Sequence, residues 1–307
     1  MSDEPDPGGI GALVRRHDPD RFLTALFASP ARREALFVLY AFNHELARAR
    51  EAASEPMLAL IRLQWWREVV EGARRRHPVA EPLGALLEAG VLDRADLLGV
   101  IAAREVEADP AIGTVAAWRD YLLGGAGGLA VAAGRLLGAP EPKALRPFGA
   151  AYGAAGVLRS VPALARQGRC LLPADALAAQ GLVPEGVISE GVAAGGRQRA
   201  AERRIAPRPV QAGMVPGAIP KGGISQGTSN GMAAGDPRLR AVLQALAAEG
   251  RSFLDAARAV RVPRQAIAAV LPAVLARRDL ARTPFRPPAR GVGDRLAVTW
   301  AGLRGRI

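Results

Sequence analysis

Cysteine occurs once in 307 residues, at Cys170. An internal disulfide is therefore excluded, the lone thiol fits a reducing compartment, and its simplest role is that of a small buried hydrophobe. Histidine occurs three times, at His17, His44 and His77, in unrelated local contexts and without metal-ligand spacing, so a zinc site is not expected. Aromatics make up 5% of the chain, which beside abundant Ala, Leu and Arg favours helices over strands. No apolar run approaches the roughly 20 residues that a spanning helix needs. The longest candidate, Tyr121 to Ala139, contains Arg135 and six glycines. A P-loop, a dinucleotide fingerprint and a serine elbow are all missing, because the glycine clusters lack the strand-to-helix context those motifs require. The start, MSDEPDPGG, is acidic and rich in Pro and Gly, unlike a signal or transit peptide.

What is present is half apolar and strongly basic. A hydrophobic content of 50% supplies one large core or two small ones. The net charge of +12 invites a negatively charged partner, an anionic lipid surface or a phosphorylated ligand. Nucleic acid is not expected, since the basic residues are scattered over many helices with no accompanying motif, and much of the excess reads as solvated helix faces.

Residues 1–18 read as a disordered leader, and residues 19–192 with 236–307 as a single helical domain. Between them, residues 193–235 read as a Gly/Pro/Arg-rich disordered insertion whose six basic residues face one acid, Glu202. Asp18 or Asp20 caps a short helix, and Ser29-Pro30 opens a long one on which Leu36, Leu39, Phe42, Leu46 and Ala49 recur at spacings of three and four. Ser54-Glu55-Pro56 repeats the signature before a helix carrying Leu60, Leu63, Trp66 and Val70, where Trp65 and Trp66 read as packing anchors or as substrate-facing indoles. Glu105, Glu107 and Asp109 read as a solvated acidic face. Gly124, Gly127, Gly128 and Ala132 allow close helix approach. Asp294 to Arg304 carries Leu296, Val298, Trp300 and Leu303 beside Arg295 and Arg304, and reads either as a helix packed on the bundle or as one lying at a membrane interface.

Two stretches carry a resemblance. The first runs from Pro30 to Arg33 through Leu39-Tyr40-Ala41-Phe42, with a Trp66-Arg67 step and Val70 on the next helix. The second is Val157-Leu158-Arg159, then Arg166 and Arg169 around Gly168, then Leu172-Pro173. Together they resemble the squalene/phytoene synthase family, which implies an all-α, isoprenoid-synthase-like helical bundle around a central cavity. In that family two Asp-rich segments hold magnesium and a prenyl diphosphate. The first set of acidic positions falls here on Ala47, Arg48 and Glu51, the second on Ser160 and Leu164, and the usual upstream Gln and Asn fall on Gly153 and Gly156.

Magnesium requires near-octahedral oxygen ligation, and a guanidinium binds phosphate but not the metal. Pro162 inside the second segment removes a helix hydrogen bond and is expected to kink it. No catalytic residue is assigned, and Arg33, Tyr40, Asn43, Glu51, Trp66, Arg159 and Arg169 are the ligand-binding candidates. The phrase from Ala41 to Ala47, followed by Leu63-Gln64-Trp65-Trp66, resembles the branch that assists assembly of respiratory complex I at the inner membrane. That resemblance implies a non-catalytic scaffold or lipid-binding factor, cytoplasmic and peripheral on the inner face of the cytoplasmic membrane, needing no cofactor. Its partners would be complex I subunits or assembly intermediates, an anionic membrane surface and a prenyl or other lipid ligand. The alternative is a magnesium-dependent head-to-head prenyltransferase acting on farnesyl or geranylgeranyl diphosphate, its acids rebuilt from Glu45, Glu51, Glu105, Glu107 and Asp109.

Overall fold

The computed structural model describes residues 9–51, 55–109, 111–189, 236–282 and 290–307. The expected insertion at 193–235 and residues 1–8 of the expected leader lie outside the described residues. Among the described residues every regular element is helical, with one isolated bridge between Ile112 and Pro173.

The helices begin where the chain supplies caps. Asp18, rather than Asp20, accepts a hydrogen bond from the Arg21 backbone N–H at 3.0 Å and opens α2 (Pro19–Ala25). Pro30 and Pro56 occupy the first turns of α3 (Pro30–Glu51) and α4 (Pro56–Glu71), where a missing N–H costs nothing. Gly72, at φ 124°, turns the chain out of α4. Shorter helices follow: α5 (Ala80–Glu88), α6 (Arg94–Glu105), a 3₁₀ turn (Val106–Ala108), α7 (Val115–Gly124) and α8 (Ala126–Leu136). After the long α9 (Arg146–Arg166) come α10 (Ala174–Ala178), α11 (184–189), α12 (Pro237–Ala256), α13 (Pro272–Ala281) and α14 (Val292–Arg304).

The leader expectation needs correction, because Gly9–His17 forms a helix, α1, that packs on α3. Its Ile10, Leu13 and Val14 share one face, Val14 is 1% exposed, and Gly11 lets the Phe37 ring approach. The acidic, Pro/Gly-rich opening masked an apolar 3–4 spacing that begins only at Ile10.

One contiguous core runs through the bundle. Helix α9 is its axis, packed on by α7, α8, α12 and α13, while α3 receives α1, α4, α5 and α8. The α8–α9 contact is built from small residues. A Cβ on Gly149 would lie 2.2 Å from the Ala126 carbonyl oxygen, and one on Gly153 would lie 2.8 Å from the Ala126 Cβ. The backbones therefore touch directly, which fixes where the following turns of α9 sit. Pro162 lies inside α9 without ending it.

Gly149→Val is expected to destabilise the bundle by about 3 kcal/mol, because the obstacle is backbone that cannot yield. Gly84→Ala in α5, where an added Cβ meets nothing within 4 Å, should stabilise by about 0.5–1 kcal/mol. Urea denaturation of the two variants tests the contrast.

Candidate functional site

The α8–α9 contact turns Ser160 and Leu164 of α9 toward Ala47 of α3, and the three side chains line one cavity of about 230 Å³. Its walls are apolar at Leu122, Val157, Leu164 and Leu171 and guanidinium-bearing at Arg21, Arg104 and Arg169. It continues into an outer hollow of about 760 Å³ that shares Arg21, Ala47, Arg104, Tyr152 and Ser160 and adds Asn43, Arg159, Asp279 and Arg290. Positions about 110 residues apart in sequence thus face one space. The Ser160 hydroxyl is spent within its own helix, donating to the Val157 carbonyl at 2.9 Å.

Carboxylates are present in this space, but each is engaged by a guanidinium. Glu107, 6% exposed, accepts from Arg104 Nη1 at 2.7 Å, Arg169 Nη2 at 2.8 Å and the Tyr121 hydroxyl at 2.8 Å. Arg104 also donates to Asn43 Oδ1 at 3.1 Å. Burial by itself would raise the Glu107 pKa, but the charges of Arg104 and Arg169 and the hydrogen bonds from Arg104 and Tyr121 bring it below the usual carboxylate value. Burial, then the Glu107 charge, raises Tyr121, which stays a protonated donor.

At the outer hollow Asp20 and Asp279 share Arg290, at 2.7 and 2.8 Å, and Asp279 also holds Arg159 at 3.0 Å. The Tyr152 hydroxyl donates to Asp20 at 3.2 Å. Asp18 pairs with Arg21 at 2.8 Å, and the Arg21 guanidinium lies 4.8 Å from the Tyr152 ring centre. Burial alone would lower the Arg290 pKa, yet the hydrogen bonds to Asp20 and Asp279 raise it.

This lining does not fit a magnesium cluster. Two or more carboxylates must present unshared oxygens to one point, whereas here five guanidiniums interleave four carboxylates and repel a cation. Among the described residues no group of three or more His, Cys, Asp or Glu is placed to hold a metal ion. The arrangement suits an anionic head with an apolar body, since Arg donors remain available along apolar walls.

The structure separates the candidate residues. Asn43, Ala47, Arg159, Ser160, Leu164 and Arg169 line the cavity or its outer hollow. Arg33 does not, since it donates to the Leu26 and Ala28 carbonyls at 3.1 and 3.0 Å and closes the end of α2. Tyr40 is 2% exposed and packs beneath Arg21, its pKa raised by burial. Trp66 meets Phe42 edge-on at 5.5 Å and lines a separate hollow with Arg48, Glu45 and His77. Glu51 closes α3, and its side chain lies outside the described residues.

The acids proposed as replacements do not converge. Glu45 pairs with Arg48 at 3.3 Å, Glu105 pairs with Arg67 at the surface, and Asp109 is exposed. Glu107 corrects the solvated-face reading, for it is buried and paired. The histidines need correction too: His17 and His44 stack with ring centres 4.3 Å apart at the outer hollow, and burial followed by the His17 charge lowers the His44 pKa. Sequence reasoning missed Arg21, Arg104, Tyr152, Asp279 and Arg290; the four charged ones carried no signal beyond their charge, and Tyr152 stands within the small-residue run of α9.

Residues 14–206 match the profile of squalene/phytoene synthase. Among curated relatives, complex I assembly factor 6 from Homo sapiens is 34% identical over 71 residues, 23% of this chain and 21% of that protein. Its homolog from Drosophila melanogaster is 28% identical over 199 residues, 57% of this chain and 58% of that one. The chain thus spans less than two-thirds of the curated relatives it matches. A dehydrosqualene synthase solved with a ligand superposes with a TM-score of 0.67 at 12% identity, covering 96% of this chain and 94% of the other. The squalene synthase HpnC from Alicyclobacillus acidocaldarius gives 0.56 at 15% identity over 96% and 92%. The fold is the isoprenoid-synthase helical bundle of those enzymes.

Glu107→Ala is expected to cost about 3–5 kcal/mol, because Arg104 and Arg169 are left buried without their counter-charge. The folded-state pKa is lowered, so the Glu107 contribution is fully present above its usual 4.5 and lost as pH falls from there through the lower folded value. Urea melts of wild type and Glu107→Gln should therefore differ most near neutrality and converge toward acid pH.

Proposed function

Because the chain belongs to the squalene/phytoene synthase family, we propose that it is a non-catalytic member serving as a scaffold or lipid-binding factor in respiratory complex I assembly. The observation that carries this reading is the cavity lining. Alanine, serine and leucine stand at motif positions that face one another, and among the described residues every carboxylate lining this space is tied to arginine.

Head-to-head prenyl coupling depends on metal-assisted departure of diphosphate, and stabilising that leaving group is the main work of such a site. A guanidinium-locked cavity retains the anion without supplying the metal. Binding that stabilises ground state and transition state alike gives affinity without turnover, which is the behaviour of a carrier or a ligand-sensing scaffold. The assembly role draws its support from the relatives, which are complex I assembly factors. Among the described residues no helix is long and apolar enough to cross a membrane, and in our reading the protein sits peripherally on the inner face of the cytoplasmic membrane.

Purified protein supplied with magnesium and farnesyl or geranylgeranyl diphosphate should release no pyrophosphate above the protein-free blank. Magnesium-dependent release would overturn the non-catalytic reading. In a deletion strain, assembled NADH:ubiquinone oxidoreductase on native gels should fall and return with the wild-type chain, and intact assembly in the deletion would remove the complex I role.

A further inference from the structure

Helix α14 is apolar on two sides. Its inner side carries Val298, Ala301 and Gly302, and Gly302 is pressed so closely on Phe27 that a Cβ there would lie 2.4 Å from the ring. Asp294 fixes the same side, 3% exposed and paired with Arg278 at 2.7 Å and Arg282 at 2.9 Å, hydrogen bonds that hold its pKa well below the usual range. Packing thus fixes the rotation of the helix and with it what faces outward.

The outer side carries Val292, Leu296, Trp300 and Leu303, 74, 62, 58 and 60% exposed. At ~100° per residue these four fall within about 80° of arc and form one ridge, with Arg295 on one flank and Arg304 on the other. Scattered surface hydrophobics need no explanation, but a continuous ridge of four large ones does. The Arg304 guanidinium lies 4.1 Å over the Trp300 ring. Beside them opens a hollow of about 570 Å³ lined by Val274, Arg277, Trp300, Arg304, Arg306 and Ile307, with three guanidiniums and no acidic side chain. The sole acid of α14 is the buried, paired Asp294.

We propose that this face is the docking surface for an anionic lipid bilayer. The ridge enters the boundary between headgroups and acyl chains while Arg277, Arg304 and Arg306 take lipid phosphates in the adjoining hollow. Long arginine stems flanking an apolar stripe carry their charge up to the headgroups, which is the pattern of an interfacial helix. A second copy of this chain is a poorer occupant, because two such faces would bring like cations together. The proposal rests on the peripheral-membrane part of the reading above and supplies its contact residues.

The test is flotation of the full chain with vesicles of phosphatidylcholine alone and of two parts phosphatidylcholine to one part phosphatidylglycerol. The wild type should float with the anionic vesicles and bind neutral ones at least about tenfold more weakly. Combining Leu296→Ser, Trp300→Ser and Leu303→Ser should lower partitioning at least about tenfold. Combining Arg277→Gln, Arg304→Gln and Arg306→Gln should weaken anionic binding by about fivefold per arginine and leave neutral binding unchanged. All six of these side chains are exposed, so melting temperatures should stay at the wild-type value, and the two variants provide independent arms.

Equal flotation of wild type with both vesicle types, or wild-type flotation of the serine variant, overturns the proposal. So does a wild-type dimer in sedimentation that the serine variant abolishes while vesicle binding persists, or a serine variant that floats normally yet fails to support complex I assembly; these assign the ridge to a second copy or to a protein partner. None of these outcomes bears on prenyl diphosphate turnover, so the cavity reading stands or falls separately.

Discussion

A carboxylate buried between two guanidiniums holds the centre of this bundle. Glu107 ties Arg104 at the end of α6 to Arg169 beyond α9 and to Tyr121 of α7, while Arg104 reaches Asn43 of α3 and Arg50 donates to the Glu107 backbone carbonyl at 3.2 Å. Helices α3, α6 and α7 and the segment after α9 are thus tied together through one residue. Taking such charges out of water costs several kcal/mol apiece, repaid only when the geometry is close and the remaining donors are satisfied. The cavity is therefore more tightly specified by its polar floor than by its apolar walls, which tolerate exchange among residues of similar volume.

That constraint bears directly on chemistry. The fold brings positions 47, 160 and 164 to one space because glycine and alanine let α8 and α9 touch, a packing effect that is indifferent to what those positions carry. The same bundle therefore forms whatever the motif positions carry, and fold alone does not transmit activity. With Ala47, Ser160 and Leu164 at three of the motif positions, the surrounding arginines pair instead with Glu107, Asp18, Asp20 and Asp279, and each pairing formed this way further disfavours a cation.

Much of this was legible before any coordinates. Pro30 and Pro56 marked helix starts, and the 3–4 spacing from Leu36 to Ala49 marked the buried face of α3. What escaped depended on long-range pairing. Glu107 read as solvated because one of its partners, Arg169, stands 62 residues away and nothing in the local pattern signals burial. His17 and His44 meet only because α1 packs on α3. Arg33 and Trp66 stand beside motif residues yet do not line this cavity, since a motif fixes spacing along a helix and not which neighbour the helix turns toward.

The excess of positive charge divides into two populations with different physics. Arginines at the cavity are buried or half-buried and neutralised pairwise, so they contribute little to the outer field and much to local rigidity. Among the described residues no carboxylate pairs with Arg277, Arg295, Arg304 or Arg306, which stand beside the apolar ridge of α14. Unneutralised charge acts at a distance and is screened over about 8–10 Å at physiological salt, so it is this second population that an approaching anionic surface senses. The composition reports only their sum. The division arises from packing: once Asp294 is pulled inward to hold Arg278 and Arg282, α14 has no acid left to turn outward, and its exposed face is cationic because its buried face is anchored.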